Sequence, residues 1–153
     1  MRRVDKEITD THVMEEILNK ADVIRIAMVD GDEPYIVAMN HVYLDGCIYM
    51  HSAKEGRKID VLKRNSRVAF EVDTDVEIVL KEEACSCTTK YRSVAGIGNS
   101  VLIDDAKVKK TVLDEIMKKH TTRVAFEYPE KVFERTLIIK IDIDSMTGKK
   151  SGF

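Results

Sequence analysis

The 153-residue sequence has few of the features that mark a secreted, disulfide-linked or membrane-spanning chain. Its three cysteines, an odd number, do not fit a disulfide framework in a chain of this size, so reduced thiols are expected. No apolar run approaches the roughly 20 residues that span a bilayer, and the N-terminal residues lack the apolar segment of a signal peptide. These absences predict a soluble protein of the cytoplasm with no membrane partner.

An excess of charge of one sign is also lacking. The 25 basic and 27 acidic residues leave a formal net charge of -2, so there is no global basic field of the kind that attracts duplex nucleic acid. The four histidines show no spacing typical of a catalytic metal, and Cys85 and Cys87 lack the four-ligand set of structural zinc. Neither a nucleic-acid partner nor a metal is predicted.

Several β-rich segments are present. Turn signals at Asp30-Gly31-Asp32 and Asp45-Gly46 separate the first three segments, which predicts three meandering strands. Alternation places Val68, Phe70 and Val72 on the inner face of a fourth strand. The six predicted strands cover residues 23–29, 34–43, 47–51, 68–73, 91–98 and 136–143. Glycines at 96 and 98 indicate a bulge or a close backbone approach.

Helical periodicity is confined to three segments. One helix follows the N-cap candidates Thr9-Asp10-Thr11 and ends near Lys20, so that about 1–20 form an N-terminal helical region. Another runs from Asp104-Asp105 to about His120 outside the sheet, and its Lys109-Lys110 pair is interpreted as a solvated face. A short helix follows Gly56, and residues 148–153 are expected to form a loose tail. The sequence as a whole predicts one domain, 1–153, with a mainly β fold: a six-stranded antiparallel barrel, closed or nearly closed, with flanking helices.

The start of the short helix is the strongest candidate for a binding site. The first turn of a helix has backbone N–H groups without intrahelical partners, and these attract phosphate. Gly56 leaves the backbone accessible, while Arg57 and Lys58 add a planar fork and a compact charge, and Ser52 adds a hydroxyl. The alternative is a solvated basic helix start with no ligand.

A resemblance to a known family links this site to other segments, in the same order along the chain. These are Met1-Arg2-Arg3 with Glu7-Ile8-Thr9-Asp10, Pro34-Tyr35-Ile36-Val37, His51-Ser52-Ala53 with Gly56-Arg57-Lys58, Asn65 with Arg67-Val68, and Tyr91-Arg92-Ser93-Val94. Together they resemble the nitroimidazole-resistance (Nim) proteins of the pyridoxamine-phosphate-oxidase-like split barrels that bind flavin mononucleotide (FMN). Ala38 departs from that pattern, because a proline is expected there.

The resemblance implies a Greek-key split barrel, a homodimer, and FMN bound in a cleft between two subunits. It implies that Gly56-Arg57-Lys58 binds the flavin phosphate, that the 36–40 strand and Met50-His51-Ser52 border the ring system, and that Tyr91-Arg92-Ser93 lines the cleft, from the partner chain. The implied cofactor-binding residues are Val37, Ala38, Met39, Asn40, Met50, His51, Ser52, Gly56, Arg57, Lys58, Tyr91, Arg92 and Ser93.

The function implied is that of an FMN-dependent oxidoreductase. NADH or NADPH would dock transiently, and a small acceptor such as a 5-nitroimidazole would receive the electrons. His51 is the candidate catalytic residue, although a histidine at a strand end can equally be structural. Two alternatives stay open: a module that stores or senses flavin, and a split barrel that binds haem through His41 or His51.

Overall fold

The main feature of this computed structural model, which describes residues 3–153, is an eight-stranded antiparallel sheet. Met1 and Arg2, which open the stretch that carries the family resemblance, lie outside the described residues. The strands are β1 (Glu7–Ile8), β2 (Val23–Asp30), β3 (Glu33–Asn40), β4 (Val42–Leu44), β5 (Cys47–Ala53), β6 (Arg67–Val79), β7 (Thr88–Ile103) and β8 (Thr136–Ser151). The α-helices are α1 (Thr11–Lys20), α2 (Arg57–Arg64), α3 (Ala106–His120) and α4 (Glu130–Arg135).

The strand order has the Greek-key connectivity that was predicted. The path through the sheet is β3-β2-β6-β7-β8-β5-β4, with β1 added to β8. Strands β6, β7 and β8 follow one another as antiparallel neighbours, and β5 returns to lie beside β8. This connection carries the chain from the end of β5 through α2 to β6, and α2 contacts β2.

Alternation along the strands divides their side chains between two apolar clusters. Val68, Phe70 and Val72 of β6 are buried in the main core, as predicted, and so are Leu137, Ile139 and Ile141 of β8. The other face of β8 contributes Ile138 to a smaller cluster with Val112 and Ile116 of α3. Helix α3 therefore covers the outside of the sheet, as its apolar periodicity predicted.

Each predicted helix begins at a residue that suits a helix start. The carboxylate of Asp10 accepts a hydrogen bond from the backbone N–H of His12 at the start of α1. Asp105 accepts from the N–H groups of Lys107 and Val108 at the start of α3. Within residues 3–153, none of the helices combines the length and apolar character that crossing a bilayer requires.

The glycines of β7 allow close contact between neighbouring strands. A Cβ at Gly98 would lie 2.3 Å from the carbonyl oxygen of Asp142, and the pairing of β7 with β8 shifts register between Ile97 and Gly98. A Cβ at Gly96 would lie 2.4 Å from the ring of Phe70. Both roles predicted for these glycines, a bulge and a close backbone approach, are confirmed.

Two strand predictions are wrong, one in the number of strands and one in their pairing. The sheet has eight strands and not six, because β1 is added and the segment 34–43 divides at His41 into β3 and β4. The first three strands do not form a meander, because β3 and β4 lie at opposite ends of the strand order. The expected proline position, Ala38, pairs regularly with Arg25, so β3 is undisturbed there.

Two further predictions are corrected by contacts in the second half of the chain. The stretch from 148 is not a loose tail, because β8 continues to Ser151 and pairs with β1 and β7. Lys109 is not solvated: it is buried, forms an ion pair with Asp104, and its ammonium lies 5.3 Å from the ring of Phe133.

Candidate functional site

The main cavity of interest lies where β5 leads into α2, at the start of β8. Its volume is about 600 Å³, which lies within the range typical of small-molecule sites. The residues that line it are Tyr35, His51, Ser52, Ala53, Glu55, Gly56, Arg57, Lys58, Lys131, Val132, Arg135 and Thr136. The structure thus brings together five residues of the predicted site, namely His51, Ser52, Gly56, Arg57 and Lys58.

The first turn of α2 faces this cavity with an accessible backbone. Gly56 is the N-cap residue, and its φ of 114° is in a region that residues with a Cβ rarely adopt. The carbonyl of Gly56 accepts from the N–H groups of Ile59 and Asp60, whereas the start of the helix has no side-chain cap. The N–H groups of Arg57 and Lys58 are therefore left to a ligand or to solvent. This arrangement fits an anion.

Arg57 does not present a free guanidinium fork to the cavity. Its Nε donates to Asp30 at 2.9 Å, a second nitrogen lies 3.4 Å from Glu33, and the group lies 4.6 Å from the centre of the Tyr35 ring. Asp30 also accepts from Arg64 of the same helix. Hydrogen bonds from Arg57 and Arg64 lower the pKa of Asp30, so this carboxylate stays ionised and holds both arginines.

Lys58 has the opposite character, because among the described residues it has no carboxylate partner. Its ammonium lies 3.5 Å from the sulfur of Met39, and partial burial lowers its pKa. His51 lines the same cavity, and desolvation, with the nearby charge of Lys58, lowers the pKa of its imidazole. His51 is therefore neutral at neutral pH and carries one N–H donor and one acceptor nitrogen.

The other predicted residues of β3 and β5 have mixed orientations. Val37 and Met39 point inward against the main core, while Ala38 and Asn40 are exposed on the other face of β3. Met50 has no exposed surface, so its side chain belongs to the core and does not line the cavity. Of these residues, Met39 alone contacts a candidate phosphate-binding residue, because its sulfur lies beside the ammonium of Lys58.

The predicted segment Tyr91-Arg92-Ser93 does not line this cavity within one chain. His51 pairs with Ile138 at the start of β8, whereas Tyr91 pairs with Ser151 at its end. Those two pairs are thirteen residues apart along β8, a separation of up to about 40 Å in a fully extended strand. The guanidinium of Arg92 lies instead over the ring of Phe153, at 4.6 Å.

The residues that the sequence analysis missed come mainly from α4. This helix contributes Lys131, Val132 and Arg135 to the cavity, and the carbonyl of Arg135 accepts from the N–H of Lys54 at the end of β5. Pro129 followed by an acidic residue is a helix-start signal that could have identified α4. No three histidine, cysteine or acidic side chains within residues 3–153 lie close enough together to bind a metal ion.

Comparison with known proteins places these features in a family. The sequence pattern described as pyridoxamine 5'-phosphate oxidase matches residues 10–150. A candidate 5-nitroimidazole antibiotic resistance protein from Bacteroides thetaiotaomicron is 31% identical, covers 94% of this chain and 86% of its own, and superposes with a TM-score of 0.82. No curated protein matches the chain.

More distant solved structures share the architecture. A flavocytochrome from Azotobacter vinelandii has a TM-score of 0.86 at 18% identity, with 100% of this chain and 72% of that chain covered. A protein from Mycobacterium smegmatis that binds FAD and haem has a TM-score of 0.82 at 19% identity, with 97% and 74% covered. At these identities the likeness establishes the fold alone, and the predicted split barrel with flanking helices is confirmed.

Proposed function

Because the chain belongs to the pyridoxamine 5'-phosphate oxidase family, we propose that it binds FMN and transfers electrons from a nicotinamide donor to a small acceptor. The observation that carries this proposal is the cavity at the start of α2, where uncapped N–H groups and Lys58 face open space beside Gly56. A flavin phosphate is an anion of the size and charge that such a helix start binds.

The residues of the cavity fit the group that the family implies. Lys58, the first-turn N–H groups of α2 and the hydroxyl of Ser52 would hold the phosphate. When bound, the flavin supplies the hydride and electron transfer chemistry that protein side chains lack. His51, neutral and exposed to the cavity, can hold a proton at one ring nitrogen and accept one at the other.

The proposed acceptor is a 5-nitroimidazole or another nitroaromatic compound. Support comes from the relative at 31% identity, which is named for 5-nitroimidazole resistance. The cavity is open to solvent, so a nicotinamide donor could dock transiently and leave before the acceptor enters. A donor of this kind would place the reaction in the cytoplasm.

We also propose that the working form is a homodimer. If Tyr91-Arg92-Ser93 borders the cofactor, a second copy has to supply it, because Tyr91 and His51 pair with opposite ends of β8. Light scattering of the flavin-loaded protein is expected to give twice the chain mass. A monomer that binds one FMN per chain with full affinity would contradict a shared site.

The experiment that tests the function begins with the absorbance spectrum of the purified protein. Flavin bands, with FMN released on denaturation, are expected, followed by steady oxidation of NADH or NADPH that accelerates when a nitroimidazole is added. If the protein neither copurifies with flavin nor takes it up from solution, the proposed function is wrong.

The same experiment separates an enzyme from a flavin store. A protein that carries FMN but oxidises neither nicotinamide would be a binding module and not an oxidoreductase. The haem alternative has no support from His41, because its Nε2 is bonded to the carbonyl of Leu18 at 2.8 Å and the side chain is fully buried. A Soret band in the spectrum would revive that alternative through His51.

A further inference from the structure

Helix α4 carries an arrangement of charge that its own contacts do not explain. Lys131 and Arg135 are four residues apart and share one face, and Glu130 and Glu134 share another. Like charges at this spacing destabilise a helix by a few tenths of a kcal/mol, whereas Glu and Lys at the same spacing would stabilise it. Neither Lys131 nor Arg135 forms an ion pair with any side chain of residues 3–153.

The basic face of α4 is fixed in its orientation. Phe133, two residues from both cations and therefore on the opposite face, stacks on Tyr128 with ring centres 6.2 Å apart and lies 5.3 Å from the ammonium of Lys109. The next residue after the helix, Thr136, donates its hydroxyl to the carbonyl of Val132 and pairs with Ala53 of β5. These contacts direct Lys131 and Arg135 into the cavity that α2 borders.

The cavity consequently has two cationic sides. Lys58 and the α2 helix start form one, and Lys131 and Arg135 of α4 form the other. One acidic residue, Glu55, lines the cavity, so four basic side chains face one carboxylate in a chain whose net charge is -2. Arg57 is already bound by Asp30, whereas the guanidinium of Arg135 has no side-chain partner among the described residues and offers a planar fork that suits two phosphate oxygens.

We propose that Lys131 and Arg135 bind a second phosphoryl group, so that the cavity favours a ligand that brings one more phosphate than the group bound at the start of α2. This inference rests on the proposed function, in which the start of α2 binds the first phosphate. The second phosphate could belong to the diphosphate of flavin adenine dinucleotide (FAD), or to the 2'-phosphate that distinguishes NADPH from NADH. Both sources present the same chemistry, a phosphate dianion or diester beside two cations.

The test compares the double variant Lys131→Gln/Arg135→Gln with the control Lys81→Gln/Lys107→Gln, which removes two exposed charges that do not line the cavity. Fluorescence titration measures affinity for FMN and FAD, and steady-state assays give kcat/KM for NADH and NADPH. The α4 variant is expected to lose about tenfold in either FAD affinity or NADPH efficiency, with FMN affinity and NADH efficiency changed by less than about twofold. A fall in the ratio of FAD affinity to FMN affinity identifies the flavin diphosphate as the source, and a fall in the ratio of kcat/KM for NADPH to that for NADH identifies the 2'-phosphate.

Two flavin-free probes separate this inference from the proposed function. Adenosine 5'-diphosphate and adenosine 2',5'-bisphosphate are titrated into both variants and the unmodified protein by calorimetry. Weaker binding of either probe to the α4 variant supports the second phosphate site even if the protein proves not to bind flavin. If the α4 variant and the control match in every ratio and for both probes, the second site is refuted, while FMN binding and turnover can still stand.

Discussion

At the residue scale, Arg57 and Lys58 are neighbours in the sequence with different partners in the structure. Arg57 is bound by Asp30 and Glu33, whereas Lys58 lies half-buried beside Met39 without a carboxylate. Replacing both, Arg57→Ala with Lys58→Ala, is expected to weaken FMN binding by about tenfold to a hundredfold, because a charge-assisted phosphate contact is lost, while the fold is retained. Fluorescence titration and thermal unfolding measure the two effects.

The matched control for that variant is Arg64→Ala. Arg64 bonds to the same carboxylate, Asp30, from the same helix but does not line the cavity. Its replacement should leave FMN affinity within about twofold of the unmodified protein. Equal losses of FMN affinity in the two variants would mean that the ion pairs of Asp30 with Arg57 and Arg64, and not the cavity, determine flavin binding.

His41 gives a second prediction at this scale, for stability against pH. Burial, followed by the charge of Lys119, lowers the pKa of His41 to about 4, and its Nδ1 has no hydrogen-bond partner among the described residues. The unfolded chain, with an ordinary histidine pKa near ~6.5, binds the proton first. Stability is therefore complete above about pH 6.5 and declines as the pH falls to about 4, by roughly 3 kcal/mol in total.

Urea unfolding at several pH values measures this decline, and His41→Gln is the comparison. Glutamine can still donate to the carbonyl of Leu18 but does not titrate. The difference in stability between the two proteins is expected to shrink as the pH falls from about 6.5 to about 4. A constant difference across that range would show that His41 titrates normally.

The role of a candidate residue could be predicted from the sequence where a local rule applied, but not where tertiary contacts determine its partners or its burial. The Gly56 helix start follows from a glycine before a basic pair, and the structure confirms it. That Arg57 would be bound by Asp30, 27 positions earlier, depends on how α2 lies against the turn after β2, which no local pattern encodes. The burial of Lys109 under Phe133 depends in the same way on α4.

At the scale of elements, strand β7 depends on glycines because it passes close to β8 and β6. Gly98→Ala would place a methyl group against the carbonyl oxygen of Asp142, a backbone atom that cannot move without breaking the ladder. Unfolding free energy is expected to fall by roughly 3 kcal/mol.

The comparison for Gly98 is Ala95→Gly, three pairings away in the same strand, which adds only backbone freedom. It should cost about 1 kcal/mol or less in denaturant unfolding. If Gly98→Ala proved as mild as this control, the close approach of β7 to Asp142 would be wrong.

The lengths of elements were less predictable than their existence. The sequence analysis ended the last strand near Ile143 because the apolar alternation stops there, yet β8 continues through polar residues to Ser151. Pairing with β1 and β7 on both sides holds that extension. A strand that is stabilised by backbone hydrogen bonds to two neighbours needs no hydrophobic pattern of its own.

At the scale of the whole molecule, the net charge and the charge of the cavity have opposite signs. The chain carries -2, but basic side chains outnumber acidic ones around the cavity. FMN affinity should therefore fall several-fold between about 50 and about 500 mM salt, because exposed cations are screened. Riboflavin, which lacks the phosphate, should show no such dependence. Equal salt sensitivity of the two ligands would mean that the phosphate does not contact these cations.

The position of β8 also affects how the chain can mature on the ribosome. This strand joins β7 to β5, and it follows both of them in the sequence. Until β8 leaves the exit tunnel, the β4–β5 hairpin cannot join the strands β3, β2, β6 and β7 in one sheet. The apolar side chains on both sets of strands then stay uncovered. Nascent chains at that stage should therefore be clients of ribosome-associated chaperones, and the emergence of β8 should be followed by a comparatively slow closure of the sheet, because the contacts made are distant in sequence.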